Sequence, residues 1–319
     1  MSGRSRVIAA LVAVACAVLT LTGCAAFAES AYGRTGHGGL TVYATTGYLA
    51  DAVANVAPRA QVVTMVGPGG DPHTYQPSTR DIQQLQDADL VLWNGLGLEA
   101  HMADQLRSLG DKQLAVAELL PERLLLRLPE TDAHGNPLHD PHVWNSPEAW
   151  SLVVGYIADK LAEIDPARAG EYRRNAAGYQ AEIADAAAEA EKLLAGVPEP
   201  RILVTAHDAF NYFGRTYRLR VHATDFVSTA AVLSAEDLSQ LAELIATHRV
   251  PVIFQDNQAN PQAITSLQEA VRALGWHTTI SGEELYADSL GVEPGVDTYL
   301  GVFRHNARAI ADALAKGEA

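Results

Sequence analysis

Residues 66–99, VGPGGDPHTYQPSTRDIQQLQDADLVLWNGLGLE, contain the pattern that decides the fold. An apolar run ends at Val66 in a Gly/Pro cluster, which indicates a turn, and His73 follows on a short, proline-stiffened loop. Residues 79–88 then predict a helix and residues 90–93 a buried strand. Taken alone, His73 is better explained as a surface histidine beside a turn. Its place after a strand is nevertheless where open α/β sheets bind ligands.

Strand and helix patterns alternate along the chain on both sides of this stretch. Strands are predicted at 40–45, 61–66, 90–94, 114–116, 201–205, 221–226, 252–255 and 277–280, and helices at 48–56, 79–88, 236–247, 261–274 and 294–316. Such alternation indicates βαβ units and a parallel sheet. Residues 118–141 are less regular and lead into TDAHGNPLHDPH at 131–142, a polar segment that predicts a loop.

Two further helices are predicted in the middle of the chain. Ser146, Pro147 and Glu148 supply a cap, a first-turn proline and a first-turn acid, so a helix should run to about residue 163. A second helix of roughly 30 residues begins near Asp165 and would span about 45 Å. We interpret it as a rigid spine joining two lobes rather than an ordinary surface helix. The predicted fold class is therefore α/β, with an N-terminal lobe at 40–165, a linking helix at 166–197 and a C-terminal lobe at 198–319.

The N-terminus has the features of an export signal. Arg4 and Arg6 precede an uncharged apolar run at 7–21, which is too short for a membrane span. The run closes on Leu-Thr-Gly-Cys24, which resembles the lipobox of bacterial lipoproteins; the alternative is a plain signal peptide with an incidental cysteine. We therefore predict a signal peptide at 1–23, a lipidated Cys24 at the outer face of a bacterial cell membrane, and a flexible tether at 24–39.

Composition narrows the classes of partner. The 319 residues suffice for two domains, and 48% hydrophobic and 19% charged residues are globular values. The net charge is −15 and no Lys/Arg cluster occurs, which argues against nucleic acid. Cys16 would leave with the signal peptide, so Cys24 would be the only cysteine and could form no disulfide within the mature chain.

Four side chains that can bind metal share one context, a loop next to a strand or before a helix: His73, His142, His207 and Asp288. Imidazole nitrogens and a carboxylate oxygen suit zinc, and four protein ligands make a closed tetrahedral site. Their separations match no local metal motif, so spacing alone does not select them among eleven histidines and many acids.

A family resemblance does select them. The segments GPGGDPHTYQPSTRDI, DADLVLWNGLGLE, DPHVWNSPEA, ILVTAHDAFNYFGRTYRL, LYADSLG and TYLGVFRHNARAI resemble the cluster A-I solute-binding proteins of metal ABC transporters, the zinc- and manganese-binding lipoproteins. The resemblance covers nearly all of residues 40–314. It implies two α/β lobes joined by one long helix, with the metal between the lobes. It also implies His73, His142, His207 and Asp288 as the four metal ligands.

The third ligand bears on the choice of metal. In this family that position is His in many zinc binders and Glu in manganese-type members. With a histidine at position 207, the four implied ligands supply three nitrogens and one carboxylate. This is a softer ligand set than one with a second carboxylate, and it favours Zn²⁺ over Mn²⁺. A manganese or mixed zinc and manganese receptor remains the alternative, because members with three His and one Asp need not be selective.

The evidence that other histidines bind or gather metal is weaker. His134 and His139, with Asp132 and Asp140, resemble a shortened metal-gathering loop of zinc-type members; a solvated polar loop explains them equally well. His37 in the tether could join such a loop. The remaining histidines are expected to be structural or surface residues: His101, His222, His248, His277 and His305.

The chain departs from the family pattern at three places, none of which is an implied ligand. Members usually have Glu-Pro-Thr where this chain has Gln-Pro-Ser at 76–78, and often Ala-Glu-Pro-Ser where it has Ala-Val-Leu-Ser at 231–234. Gln255 and Asp256 stand where an acid is common.

We therefore predict a lipid-anchored receptor, not an enzyme, that captures Zn²⁺ and delivers it to the permease and ATPase of an ABC importer. We expect it to act as a monomer. A secreted zinc hydrolase is the main rival, but such sites keep a coordination position open for water, and no HExxH-like helix occurs. A surface adhesin is a second rival, but nothing in the sequence resembles a receptor-binding module and such a role would be secondary. A binder of organic solutes would leave the four-residue match unexplained.

Overall fold

The computed structural model describes residues 39–131, 134–225, 234–257 and 261–315. Leu40–Ala319 forms one compact unit by its contacts. The predicted signal peptide, Cys24, His37, Asp132 and the departure at 231–233 lie outside the described residues. Within the described ranges, none of the helices combines the length and the hydropathy that a membrane span needs.

The first sheet has four parallel strands in the order β2-β1-β3-β4. The strands are β1 (Thr41–Ala44), β2 (Gln61–Thr64), β3 (Leu90–Trp93) and β4 (Gln113–Ala115), with helices α1 (Gly47–Val56), α2 (Thr79–Asp87) and α3 (Ala103–Arg107) between them. Every residue of β3 is buried, as the unbroken apolar run LVLW predicts for a strand covered on both faces. Ser78 and Asp81 form a reciprocal capping box that starts α2 directly after the His73 loop.

The second sheet lies in the C-terminal half and is also parallel. It contains β7 (Ile202–Thr205), β8 (Arg220–Ala223), β9 (Val252–Ile253) and β10 (Thr279–Ile280). Strand β7 pairs with β8, β9 pairs with β10, and a bridge from Thr205 to Phe254 joins the two pairs. Helices α6 (Asn211–Tyr217), α7 (Ala235–His248), α8 (Pro261–Ala273) and α9 (Tyr299–Ala315) complete this half. The α/β fold with parallel sheets is as predicted.

Two long helices lie between the sheets in sequence, α4 (Pro147–Ile164) and α5 (Ala169–Leu194). Ser146 caps α4, as predicted. Helix α5 has 26 residues and buries one stripe at spacings of three and four: Tyr172, Ala176, Tyr179, Ile183, Ala186, Ala190 and Leu194. From the first half of this helix the Tyr179 hydroxyl donates to Asp51 of α1 (2.5 Å), and towards the end of the helix Glu189 pairs with Arg304 of α9 (2.7 Å). The helix therefore contacts elements of both halves of the chain. The boundaries of the two lobes and of the linking helix, at 40–165, 166–197 and 198–319, remain a prediction.

Two sequence predictions were wrong. The irregular segment 118–141 and the loop predicted at 131–142 contain an antiparallel hairpin of β5 (Arg127–Thr131) and β6 (Pro137–His139). Its residues are mostly exposed, so they lack the apolar alternation that signals a strand. Helix α9 begins at Tyr299 rather than 294, because Gly295 adopts a left-handed φ of 97° that a right-handed helix does not allow. The Gly295 carbonyl oxygen packs so closely on Gly301 that a Cβ there would clash with it.

An aromatic cluster joins the two halves. Trp150 of α4 packs against Tyr299 of α9 (ring centroids 5.4 Å apart) and edge-on to Tyr48 of α1 (6.5 Å). Tyr48 stacks on Trp144 (5.1 Å), and the Tyr299 hydroxyl donates to the Trp144 carbonyl oxygen (3.0 Å). All four rings are buried, so the burial of apolar surface and the contacts between the rings hold the two halves together. The cluster lies next to His142 and to the residues before Asp288.

Replacing Trp150 with alanine should lower the free energy of unfolding by about 3–5 kcal/mol, since it empties a ring-sized space in this cluster. Trp150→Phe should cost less, because the indole Nε1 has no hydrogen-bond partner in the described part of the chain and most of the ring volume is kept. Urea unfolding of the metal-free variants measures both values. A loss under about 1 kcal/mol in Trp150→Ala would contradict this role of the cluster.

Candidate metal centre

The structure brings together the four side chains that the sequence singled out. His73 follows β2, His142 follows β6, His207 follows β7, and Asp288 lies in the loop between β10 and α9. One potential ligand atom from each lies within 4.8 Å of the others, and this is the only such group of three or more His, Cys, Asp or Glu among the described residues.

The three imidazoles present the same atom to a common centre. Nε2 of His142 lies 3.2 Å from Nε2 of His73 and 3.2 Å from Nε2 of His207. Asp288 Oδ2 lies 3.1 Å from His207 Nε2 and 3.4 Å from His73 Nε2, and its Oδ1 lies 3.4 Å from His142 Nε2. The cluster therefore offers three nitrogens and both oxygens of one carboxylate to one point.

The cluster is shielded from water. His142, His207 and Asp288 are at most 1% exposed, and His73 is 6% exposed. Burial is the largest single influence on the pKa values of His73, His207 and Asp288, because it disfavours the charged form of each group. It lowers the pKa of His73, but for His207 the carboxylates of Asp288, Asp256 and Asp208 outweigh it and raise the pKa to about 9. For Asp288, nearby His207 and His142 likewise outweigh burial and hold the pKa well below its usual range. Without metal, a proton on His207 thus balances the Asp288 charge.

A buried carboxylate orients His142. Asp140 is fully buried, and its Oδ1 lies 2.7 Å from His142 Nδ1, which leaves Nε2 facing the cluster. Asn211 of α6 donates to Asp140 Oδ2 (3.1 Å), and the Tyr212 hydroxyl donates to the Asp140 carbonyl oxygen (2.8 Å). A carboxylate on the outer nitrogen fixes the tautomer of a metal-binding imidazole and raises its basicity.

The same short turn precedes His73 and His142. Asp71 Oδ1 accepts the His73 backbone N–H (2.8 Å), and Asp140 Oδ1 accepts that of His142 (2.9 Å). Both turns have the sequence Asp-Pro-His, in which an Asx-type bond and a fixed proline φ set the direction of the following residue. This repeated tripeptide was the signal that sequence reasoning passed over when it treated Asp140 only as part of a polar loop.

His207 is held differently. Its backbone N–H donates to Asp256 Oδ2 (2.9 Å), and its carbonyl oxygen accepts from the Thr205 hydroxyl (2.9 Å). Its Nδ1 is buried and has no hydrogen-bond partner in the described ranges. The position of this residue is thus set through its backbone, while the outer side of the ring has no fixed polar contact. Asp256, which the sequence marked only as a departure, anchors a candidate ligand.

Buried Glu99 ties together the loops at the ends of β1 and β3. Its carboxylate accepts from the Thr45 hydroxyl (2.7 Å) and from the backbone N–H groups of Asn94 and Gly95 (2.8 and 3.1 Å). Asn94 in turn donates through Nδ2 to the Pro141 carbonyl oxygen (2.9 Å), directly before His142. These bonds connect the conspicuous NGLGLE segment to the cluster, a role that the sequence alone did not indicate.

The other histidine candidates lie outside the four-residue group. His134 is exposed near the tip of the hairpin, and His139 contacts Glu122 (3.4 Å). His101, His222, His248, His277 and His305 also do not belong to the group. His305 instead contacts the Glu284 carbonyl oxygen through Nε2 (2.8 Å).

Comparison with known proteins agrees with this architecture. Residues 42–313 match the family model described as ZnuA, zinc-uptake complex component A, periplasmic. The manganese-binding lipoprotein MntA of Bacillus subtilis (strain 168) is 36% identical over 310 residues, 95% of this chain and 98% of its own length. The iron-binding protein YfeA of Yersinia pestis is 30% identical over 281 residues, covering 86% and 85% of the two chains.

A solved structure shows the same fold. The periplasmic zinc-binding protein TroA from Treponema pallidum superposes with a TM-score of 0.81 at 36% identity, covering 88% of this chain and all of that one. The relatives are named for manganese, iron and zinc, so the family is defined by metal binding rather than by one metal. This chain belongs to the ZnuA family, whose members are metal-binding receptors of ABC importers and not enzymes.

Proposed function

We propose that this protein captures one Zn²⁺ ion as its cargo through His73, His142, His207 and Asp288. The observation that carries the proposal is the convergence of three Nε2 atoms and one carboxylate inside a water-shielded cluster. A ligand set of this kind, built from loops of both sheets, is more than packing requires, since buried imidazoles and carboxylates are costly unless they are paired or bind metal.

The spacing of the ligand atoms supports zinc. Ligands at about 2.0–2.1 Å from a tetrahedral zinc ion lie about 3.3–3.4 Å from one another. The separations of 3.1–3.4 Å, from one Nε2 atom to another and from Nε2 atoms to the Asp288 oxygens, match this within small side-chain shifts. An ion at the centre would replace the proton on His207 as the positive partner of Asp288.

The donor set also favours zinc over manganese. Imidazole suits zinc, manganese prefers oxygen-rich octahedral sites, and zinc binds more tightly than manganese to a given set of N and O ligands. Manganese is the second candidate, because the similar MntA is named for it and both Asp288 oxygens face the centre, which permits a fifth bond. Affinity in vitro therefore has to be compared for both ions.

Delivery requires partners outside the chain. We infer that the receptor hands its ion to a membrane permease driven by an ATPase, that a lipid on Cys24 holds it at the outer face of the cell membrane, and that one chain carries one site. The buried cluster implies that one or more ligand loops move when the ion enters or leaves. His134 and His139, on the exposed hairpin before His142, would pass ions towards the site.

A competition titration tests the proposal. The soluble protein from residue 25 onward, stripped of metal, is titrated with zinc and with manganese against a chelator of known affinity. We expect one tight zinc site per chain and manganese binding weaker by several orders of magnitude. Comparable affinities would favour the manganese or mixed receptor, and no tight site for either ion would refute the ligand assignment.

A further inference from the structure

Residues 285–287, which directly precede Asp288, form an extended segment. Along one edge this segment is hydrogen-bonded to residues 255–257, as a strand is to its neighbour in a sheet. The Leu285 N–H donates to the Gln255 carbonyl oxygen (2.9 Å), and the Asn257 N–H donates to the Leu285 carbonyl oxygen (2.9 Å). The Asn257 side-chain oxygen accepts the Ala287 N–H (3.3 Å). On this side the segment therefore continues the second sheet beyond β9.

At the opposite edge the Tyr48 hydroxyl reaches the Tyr286 carbonyl oxygen at 3.5 Å, and both backbone groups of Tyr286 are bound by one side chain, that of Asn306 in helix α9. Its Oδ1 accepts the Tyr286 N–H (3.0 Å) and its Nδ2 donates to the Tyr286 carbonyl oxygen (2.9 Å). An amide side chain offers one acceptor and one donor in a plane, so it can satisfy both backbone groups of one residue as a neighbouring strand would. Asn306 is 3% exposed, so water does not compete for these bonds.

The neighbouring His305 supports the same segment. Its Nε2 donates to the Glu284 carbonyl oxygen (2.8 Å), and its ring packs edge-on against the Tyr286 ring, with centroids 5.3 Å apart. On the far side of Asp288, Asn257 donates to the Ser289 hydroxyl oxygen (2.9 Å). The His-Asn pair of α9, conspicuous in the sequence but without a role there, thus contacts the chain that presents Asp288.

We propose that Asn306 is a positioning residue that sets the Asp288 carboxylate for metal binding by fixing the Tyr286 backbone two residues before it. The inference rests on the metal site proposed above. Asp288 must meet three imidazole nitrogens at 3.1–3.4 Å at once, so a small displacement of its backbone would lengthen several metal bonds together. The aromatic groups Tyr48 and Trp144 hold the next residue, donating to the Ala287 carbonyl oxygen at 3.1 and 2.9 Å.

The test is Asn306→Asp, compared with Asn175→Asp. The first keeps the size and the acceptor but turns the donor into a carboxylate oxygen facing the Tyr286 carbonyl. Asn175, on α5, donates to the Val56 carbonyl oxygen (3.0 Å), so the second makes the same chemical change away from the site. Both should lower the thermal stability of the metal-free protein. Only Asn306→Asp should raise the zinc Kd, by about 10- to 100-fold, as the loss of an outer partner of a metal ligand does.

A spectroscopic readout separates positioning from general destabilisation. Cobalt(II) bound in place of zinc absorbs visible light with an intensity that depends on its coordination. We expect the Asn306→Asp spectrum to change and that of Asn175→Asp to match the wild type. If Asn306→Asp does not fold, Asn306→Ser, which is too short to make both bonds, should show the same rise in Kd and the same spectral change.

The outcomes separate this inference from the site itself. Wild-type zinc affinity and an unchanged cobalt spectrum in Asn306→Asp would overturn the positioning role. Asp288→Ala serves as the reference. Weak zinc binding in Asp288→Ala together with an unaffected Asn306→Asp would refute only the role of Asn306, whereas wild-type binding in Asp288→Ala would refute the ligand assignment.

Discussion

Zinc binding by His207→Ala should be weaker than that of the wild type by about two to three orders of magnitude. Structural zinc sites are worth about 10–16 kcal/mol, so one of four ligands contributes about 2.5–4 kcal/mol, and each 1.4 kcal/mol changes Kd tenfold. The fold should survive, because the backbone of residue 207 keeps its bonds to Asp256 and Thr205 in the variant. Chelator competition on the metal-stripped protein gives the Kd.

His101→Ala is the matched control for this experiment. His101 is exposed in the turn just before α3 and does not belong to the four-residue group, so its removal should leave the zinc Kd within about twofold. Circular dichroism should show both variants folded. Unchanged zinc affinity in His207→Ala would remove His207 from the site and leave three protein ligands, the arrangement typical of catalytic rather than closed zinc centres.

The order of most strands and helices could be predicted because most strands of the two parallel sheets contain a short apolar run bounded by turn residues. Strand β3 was predicted at 90–94 and lies at Leu90–Trp93, and helix α8 was predicted at 261–274 and lies at Pro261–Ala273. The ends shifted by a residue or two, as is usual for elements that fray. The β5–β6 hairpin could not be predicted, since its pairing depends on backbone bonds between exposed residues and on no apolar pattern.

The candidate ligands could be predicted only in part. Residue type and loop context reduced the choice, but consecutive histidines of the set lie 69 and 65 residues apart, and only the tertiary fold brings their loops to one place. A family resemblance was therefore needed to select the four. Their role in binding metal stays a prediction that the His207 experiment addresses.

The residues that hold the ligands were harder still to predict. Asp256 and Asn306 act across 49 and 20 residues of sequence, which no local pattern records, because each bonds to a backbone group of a loop presented by another element. Asp140 is the exception that the repeated Asp-Pro-His could have revealed. Polar side chains that satisfy buried backbone groups follow from tertiary structure, so the sequence shows their type but not their partner.

Zinc affinity should rise about tenfold for each pH unit between pH 7 and about 9, and then level off. In the metal-free protein the pKa of His207 is raised to about 9, so at pH 7 this imidazole carries a proton that must leave before Nε2 can bind zinc. His73, whose pKa is lowered by burial, is already neutral at pH 7, and Asp288, whose pKa lies well below its usual range, is already charged. His207 therefore contributes one released proton. An imidazole of ordinary pKa would show this dependence only below about pH 6.5.

Isothermal titration calorimetry measures the number of protons that zinc binding releases. Zinc titrations at pH 7.5 in two buffers with different enthalpies of ionisation should differ by the heat of about one proton taken up by the buffer, and at pH 9.5 this difference should shrink towards zero. The direction follows from competition: a proton and a zinc ion need the same lone pair, so lowering the pH favours the proton-bound, zinc-free state. Equal heats in both buffers at pH 7.5 would mean that His207 is neutral without metal, and that no proton on this imidazole balances the Asp288 charge.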